Sequence, residues 1–469
     1  MRFNNLLLTV SLILMVEGLS FLMCIPSGIY YHEPLAPFYL PAFISLLTGC
    51  FLFAVSGKKF ETITSNRESI LLISVSWLAL IVAGSLPYLV SKTIPSLVDV
   101  FFETTSGFTT TGSSVLTNTD RLPKSILFWR SLTHWLGGIG TILMFIVIFP
   151  SLNIGGYQLF SPEEQTTPGP AFVMKRVVLV YGVLTAAQVV LLYSGGMNLF
   201  ESFCYAFGAV STGCFSPQAE GLAAYPPYIQ YLMAFFMLLS GVGYIIFYFI
   251  VSGKFRIAFR NEENRIYLII FFTLSLLITG IRRFQPGGGF ESSFREGIFQ
   301  TASVISSSGY SLTDYSIRPD YLLVLLFFFL LIGGCTGSAA GGIKMSRFLI
   351  LFRNFSLQFR NPNAPSNASD LKYNRKLIGR DDNLSVLSLF SVFGITFLLG
   401  TIILSLFTPD FGKSAFLSAS ALTTFGHRLD LSCFPDAGKI TLSILMLLGR
   451  LEIYPLLLMF APSVYRKMN

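Results

Sequence analysis

Charge is what this chain has least of. Only 12% of its 469 residues are Asp, Glu, Lys or Arg, against 53% hydrophobic. Soluble domains carry about a quarter charged residues, so a water-facing surface could not be covered from this supply. Histidine is nearly missing, with three in the chain, and no HExxH occurs. The six cysteines, Cys24, Cys50, Cys204, Cys214, Cys335 and Cys433, form neither a CxxC pair nor a zinc-type spacing. These absences exclude the common metal-site patterns and leave the cysteines as small hydrophobes in or beside apolar segments. No GK[ST] follows a glycine-rich run. The GGIG at 137–140 sits inside an apolar stretch rather than after a strand, so it is no dinucleotide fingerprint. No convergent cluster of acids, histidines and a nucleophile marks an intramembrane enzyme. The chain reads as a non-enzyme that binds no cofactor of its own and carries no nucleotide-binding domain.

What the chain does have is long apolar runs. Several reach the roughly 18 apolar residues that a membrane-spanning helix needs, so the fold class is all-α integral membrane. Spans are expected near residues 5–28, 37–56, 69–92, 125–149, 174–194, 227–251, 265–281, 321–350, 385–407 and 438–462, about ten in all. The N-terminal run is interrupted by Glu17 and lacks a small-residue cleavage site, so it is expected to be a retained first span. The net charge of +8 could suggest nucleic acid, but in a membrane protein it marks cytoplasmic loops. Positive charge gathers at Lys58, Lys59 and Arg67; at Lys175 and Arg176; at Lys254, Arg256, Arg260 and Arg265; between Lys344 and Arg380; and at Arg466 and Lys467. If these face the cytoplasm, so do both termini. Arg282, Arg283 and Arg295 fall on the other side. Residues 360–383 are the most polar stretch and read as a linker.

Between paired spans lie segments too short or polar to cross, near 96–111, 198–212, 292–308 and 411–425. Each starts and ends on the outer side, as a re-entrant loop would, and such backbone is tolerated at depth only where protein or a wet cavity supports it. The four align on Gly112, Gly213, Gly309 and Gly426. Ten residues earlier stand Phe102, Phe203, Phe299 and Phe416; seven earlier, the small Thr105, Ala206, Ala302 and Ala419; two earlier, the hydroxyls of Thr110, Ser211, Ser307 and Thr424. One unit of span, short helix with loop, and span is thus used four times. Each unit crosses twice, so all four face the same way and are expected to surround one axis along the membrane normal, after two extra spans. This divides the chain into 1–60, an N-terminal pair; 61–160, 161–260 and 261–360, the first three units; and 361–469, linker and fourth unit.

A short helix that enters from outside points its C-terminal carbonyls at the membrane centre, with partial negative charge that favours a cation. Glycine then allows the returning chain to turn its carbonyls to the axis. Rings of such carbonyls replace the hydration shell of potassium in TVGYG loops, and "TTTG", "VSTG", "SSSG" and "TTFG" read as degenerate versions, none with a carboxylate.

On these four loops the chain resembles the Trk/Ktr/HKT superfamily of potassium transporters over nearly its whole length. The extra first pair of spans resembles the Trk-type bacterial pore subunit. The resemblance implies potassium as substrate and a selectivity filter whose ligands are carbonyls of Thr110, Thr111 and Gly112; Ser211, Thr212 and Gly213; Ser307, Ser308 and Gly309; and Thr424, Phe425 and Gly426. Relatives that pass sodium often carry serine at the first filter glycine; the intact Gly112 implies potassium. Phe425 and His427 make the fourth loop the least regular. The resemblance further implies a homodimer, a cytosolic ring of nucleotide-binding regulatory subunits, and a bacterial inner-membrane location.

Two features sit on the inner half. "IGGCTGSAAGGIKMSR", 332–347, interrupts what should be a span. Close helix packing through small residues is one reading; the resemblance implies instead a gating loop beneath the filter, including Gly333, Gly334, Thr336, Gly337, Ser338, Gly341 and Gly342. Arg450 lies deep in the last span, where an arginine costs at least ~2.5–3.5 kcal/mol. It either pairs with Glu452 or another acid, or projects to the pore as an electrostatic barrier, the role the resemblance implies. Lys344 is expected to snorkel from the cytoplasmic end. Glu103, Glu201 and Glu296 are expected to cap helix starts rather than to attract cations at the mouth. Glu17 needs a partner that the sequence does not name. A potassium carrier coupled to protons or sodium stands as the rival function.

Overall fold

The computed structural model describes residues 3–56, 66–116, 119–147, 170–284, 289–312, 320–360, 371–374, 376–426 and 430–460. Lys58, Lys59, His427, Arg466, Lys467, residues 361–370 of the linker and the boundaries set near 60, 160 and 360–361 lie outside these or at their edges.

Among the described residues the regular structure is helical apart from one two-stranded hairpin. It opens with α1 (Phe3–Leu22), the short α2 (Ile25–Tyr30) and α3 (Ala36–Val55). α1 and α3 pack against each other because small residues let them approach: a Cβ on Gly18 would meet Leu46, and one on Gly49 would meet Met15. A recurring order follows. α4 (Asn66–Gly84) with α5 (Leu86–Ser91) leads to the short α6 (Leu97–Phe108) and then α7 (Lys124–Val147). α8 (Pro170–Ser194) leads to the short α9 (Leu199–Ser211), then α10 (Pro227–Ser240), α11 (Tyr244–Val251) and α12 (Phe255–Arg260). α13 (Glu262–Arg283) leads to the short α14 (Phe290–Ile305), then α15 (Asp320–Leu331) and α16 (Met345–Arg360). After the hairpin β1 (Lys372–Tyr373) and β2 (Lys376–Leu377), α17 (Arg380–Ser405) leads to the short α18 (Phe411–Leu422), then α19 (Asp436–Arg450) and α20 (Tyr454–Met459).

Among the described residues six helical segments are long and apolar enough to cross a membrane: Asn4–Tyr30, Ala36–Val55, Glu68–Ser91, Phe172–Ser194, Glu262–Arg283 and Arg380–Ser405. α10 and α11 add a seventh if counted as one span, although they are bent by 93°. The break falls at Gly241 and Gly243, and Gly243 sits so close to the Thr336 carbonyl that a Cβ would meet it at 2.5 Å. The other expected spans are interrupted or more polar. Residues 321–350 split into α15 and α16 around the glycine-rich segment, and 438–462 split at Glu452 and Ile453, both in the left-handed region. Hydropathy averaged over these windows hides such breaks.

Packing between the four stretches closes a ring. α7 packs on α9, α10 on α14, α15 on α18, and α19 returns to α6. The four short helices sit inside this ring, buried through most of their length.

Candidate functional site

Each short helix ends in the same turn. Its closing residue takes the left-handed conformation: Thr110 (φ 56°), Thr212 (φ 61°), Ser307 (φ 58°) and Thr424 (φ 48°). The amide of that residue donates three positions back, Thr110 to Gly107, Thr212 to Ala209, Ser307 to Val304 and Thr424 to Ala421. The next amide donates five back: Thr111 to Ser106 at 3.0 Å, Gly213 to Gly208 at 2.8 Å, Ser308 to Ser303 at 2.9 Å and Phe425 to Ser420 at 2.9 Å. This is the Schellman closure, which satisfies carbonyls that the helix end would orphan. Glycine normally occupies its left-handed position. Here a hydroxyl residue does so four times, at a strain of ~1–3 kcal/mol each.

The closure fixes the register of the loops, and in the second it differs from the alignment on Gly213. The left-handed residue there is Thr212, not Ser211, so Cys214 takes the place held by Gly112, Gly309 and Gly426. The helix starts agree: Thr110, Thr212 and Thr424 stand equally far from the N-caps Ser96, Asn198 and Asp410. Cys204 rather than Phe203 then matches Phe102 and Phe416. The aligned glycines also differ in purpose. Gly112 (φ 78°) and Gly309 (φ 86°) need the freedom of glycine. Gly213 and Gly426 have ordinary φ and are instead squeezed, Gly213 by the His134 ring and Gly426 by the Thr111 carbonyl and the Cys214 thiol.

The structure brings these positions together. Gly112 lies against the backbone of Cys214, and Gly309 against the backbone of Gly426. Thr109–Gly112, Ser211–Gly213, Ser306–Gly309 and Thr423–Gly426 are all buried or close-packed in this knot. The hydroxyls of Thr110, Thr212 and Thr424 are buried with no hydrogen-bond partner among the described residues. Ser307 Oγ donates weakly to the Gly341 carbonyl at 3.5 Å. Ser420 Oγ donates to the Phe425 carbonyl at 2.5 Å, which sets the fourth loop apart.

The outgoing limbs are held by carboxylates. Glu103 is mid-helix and caps nothing. It accepts from Ser114 Oγ at 3.0 Å, from the Val115 amide at 3.1 Å and from Arg130 Nε at 2.6 Å, and both ionic side chains are buried. Glu201 accepts from Gln218 and from Tyr225 Oη, while the cap of its helix is Asn198. Glu296 pairs with Arg282 at 2.7 Å. The expectation that these acids cap helix starts is therefore corrected for Glu103 and Glu296, which lie beyond the first turn and find a full charge on a neighbouring helix; Glu201 does stand in the first turn of α9, and its carboxylate takes its donors from the loop that follows.

His134 was not singled out from the sequence. Its ring joins the first two loops: Nδ1 bonds the Gly107 carbonyl at 2.7 Å, the Phe215 amide donates to Nε2 at 3.3 Å, and the ring stacks on Phe215 at 4.1 Å. These partners require the neutral tautomer with the proton on Nδ1. Arg130 and His134, four apart on α7, share one helix face. That two polar residues recur at helical spacing inside an apolar segment was the available signal.

Beneath the loops lies the segment 332–344. Its ends approach each other, with Ile332 bridging Ile343 and the Gly333 amide donating to Ile343 O at 2.8 Å. Its middle is tied to the α10–α11 break: Cys335 N donates to Gly241 O and Tyr244 N to Gly337 O. Gly337 (φ 77°) and Gly342 (φ 71°) make its turns. Gly341 presses against the Thr423 carbonyl and Thr424 hydroxyl, and Gly334 against Ala340 and Ser338. At the inner edge, Glu263 accepts from Thr336 N at 2.7 Å, Thr336 Oγ1 at 3.1 Å and Ser346 N at 3.1 Å. Glu263 also receives Tyr373 Oη from the β-hairpin at 3.3 Å. Burial, then the Glu263 charge, pushes the Tyr373 phenol well above its ordinary range, so it stays a donor.

Two cations hold this segment, one from outside it and one at its end. Arg450, 2% exposed, donates to Ala339 O at 2.7 Å and Gly137 O at 3.2 Å. Among the described residues no carboxylate pairs with it: Glu452 pairs with Arg347 at 2.6 Å instead. Lys344 does not snorkel. It is buried, donates to Ala340 O at 2.5 Å and stands 4.6 Å from the Phe145 ring centre. The segment's own carbonyls outcompete a distant interface for the ammonium. A small cavity lined by Thr141, Phe145, Gly341, Lys344 and Arg450 opens on this side. Glu17 is buried against Gly84, and neither of its oxygens has a hydrogen-bond partner among the described residues.

Among the described residues no group of His, Cys, Asp and Glu could hold a metal ion. What the knot of loops offers is neutral oxygen, from carbonyls and hydroxyls, with helix C-termini pointing in and fixed cations below. This chemistry suits transient contact with a monovalent cation.

Comparison with known proteins agrees with that chemistry. The chain matches the TrkH family model, described as cation transport protein, over residues 42–279 and 289–467. It is similar to the Trk system potassium uptake protein TrkH of Escherichia coli K12, at 30% identity over 97% of this chain and 98% of that protein. It is also similar to the Trk system potassium uptake protein TrkG of the same organism, at 27% identity over 90% and 92%. The crystal structure of the potassium transporter TrkH from Vibrio parahaemolyticus superposes with a TM-score of 0.89 at 27% identity, covering 99% of this chain and 100% of that one.

Proposed function

This chain belongs to the TrkH family of cation transport proteins, a family of membrane transporters and not of enzymes, and from that premise we propose that it takes up potassium through one path down the axis of its four helix–loop stretches. The observation that carries the reading is the fourfold Schellman closure, with a strained hydroxyl at each left-handed position and the loops in mutual contact. In this reading the two N-terminal spans are followed by four span–loop–span units, about ten crossings when interrupted helices are counted whole. The carbonyls of Thr110–Gly112, Ser211–Gly213, Ser307–Gly309 and Thr424–Gly426 replace the water around the ion. The hydroxyls of Thr110, Thr212, Ser307 and Thr424 form the inner rim.

Potassium is the substrate of this path rather than a resident cofactor. Segment 333–342 is its gate, since Gly341 stands directly under Thr424 and Ser307. Arg450 and Lys344 together form the electrostatic barrier, Arg450 holding the gate by the Ala339 carbonyl. Glu263 links the gate to the β-hairpin, which gives a cytosolic regulatory partner a mechanical route to it. A ring of nucleotide-binding subunits is the proposed partner, a homodimer the proposed assembly, and a bacterial inner membrane with both termini inside the proposed setting.

Growth of cells that lack potassium import tests this directly. Expression of the chain, with and without a cytosolic Trk partner, should restore growth at low potassium. A well-expressed chain that gives no growth advantage in either setting would refute the proposal. Reversal potentials in planar bilayers decide the coupling: a potential that follows potassium alone supports passive permeation, and one that tracks pH or sodium in fixed stoichiometry supports a coupled carrier.

A further inference from the structure

We infer that Cys214 is a specificity-determining residue whose thiol stands in the constriction, so that the narrowest ring is built from three glycines and one cysteine. This rests on the transport reading above and deepens it. The register of the helix ends puts Cys214 at the position of Gly112, Gly309 and Gly426. The ring of packing runs α6, α9, α14, α18 and back to α6 through α7, α10, α15 and α19, so the second and fourth loops face each other across the axis. The Cys214 thiol nonetheless reaches the adjacent first loop and the opposite fourth loop at once. A Cβ built on Gly112 of the first loop would collide with its Sγ, and so would one built on Gly426 of the fourth. Sγ also lies 3.6 Å from the Thr111 carbonyl, positioned to donate its S–H there. A side chain that touches both the adjacent loop and the opposite loop occupies the middle of the passage.

Two consequences follow from thiol chemistry. The S–H competes with the passing ion for the Thr111 carbonyl, and the sulfur takes space that a glycine would leave open, so Cys214 slows permeation. Sulfur is also a soft ligand among hard oxygens, so the constriction should hold a soft monovalent cation such as Ag⁺ where it releases potassium. Silver binding replaces the thiol proton, which leaves to solvent.

The test measures rubidium uptake into membrane vesicles holding the full-length chain with Cys50→Ser and Cys433→Ser, which remove the two exposed thiols. Ag⁺ added outside is expected to stop uptake, and external potassium to slow the block. Cys214→Ser should transport and resist silver. Cys214→Gly should transport several-fold faster and resist silver; glycine at three equivalent positions makes it a tolerated residue. An unchanged rate in Cys214→Gly, or a silver block that survives Cys214→Ser, overturns the inference while leaving uptake intact. Absence of rubidium uptake from all variants at normal membrane levels removes the transport reading itself, and this inference with it.

Discussion

The helix that opens each of the four stretches and the helix that closes it are built on opposite plans. α4, α8, α13 and α17 are continuous, and α8, α13 and α17 hold large apolar side chains outward, such as Val183, Phe272 and Leu398, each more than half exposed. The closing helices are broken or loaded with polar groups. α7 carries buried Arg130 and His134, α10 and α11 meet at a sharp bend, α15 and α16 are separated by the glycine-rich segment, and α19 and α20 are separated by Glu452 and Ile453. Backbone can leave the helix at membrane depth only where protein or water satisfies it. The exposed faces of α8, α13 and α17 have no such help, and α4 is covered by α1, α6 and α20. The closing helices face the loops and one another, so their breaks are supported and their polar groups have partners. Position relative to lipid decides which helix in a pair can break at depth; the acid of an opening helix that ties the inner segment, Glu263, stands in the first turn of α13, at its end.

Substitutions that attack the two plans should differ in effect. The largest is expected from Glu103→Ala, which leaves Arg130 buried and uncompensated. A loss of about 3–5 kcal/mol should appear as a lower thermal unfolding midpoint in detergent and collapse of the first outgoing limb. A midpoint within error of wild type would mean that the pair is not a support of the loops.

Gly112→Ser comes next. It forces a side chain into left-handed backbone at roughly 1–3 kcal/mol and against Cys214. The potassium-to-sodium permeability ratio should fall, and an unchanged ratio would remove Gly112 from the selective ring. Arg450→Ala should raise flux by deleting a charge under the loops. It should cost only ~1–3 kcal/mol of stability, since it orphans two carbonyls and no carboxylate. Equal flux in a well-folded variant would leave Arg450 as a strut for Ala339 and Gly137. The smallest effect belongs to the opening helices. Leu398→Ala on α17 should change stability by no more than about 0.5 kcal/mol and leave uptake untouched; a large drop would show that this face is packed against protein, not lipid.

Much of this was legible in the residues. The membrane class follows from long apolar runs and scarce charge, and the continuous opening helices agree with the expected spans because each satisfies its own backbone. The hydroxyl–glycine loops could be found because they recur in one order. Other features were not legible. An alignment anchored on glycine placed Ser211 where the closure places Thr212, because a handed turn leaves no mark in composition. The interface expected for Lys344 and the cap expected for Glu103 differ from the fold because their partners, Ala340 across a local loop and Arg130 on another helix, become near only after folding.

The sequence alone determined what repeats along the chain: which stretches prefer lipid, how many times the hydroxyl–glycine loop is used, and that no carboxylate or metal cluster sits within it. Those are properties of short windows, set by transfer free energy and backbone freedom. Tertiary structure decided what faces what: that Cys214 shares a ring with three glycines, that Arg450 holds the Ala339 carbonyl while Glu452 holds Arg347, and that Glu263 ties the inner segment to the hairpin. Such pairings depend on how side chains pack between helices far apart in sequence, and no local window carries that information.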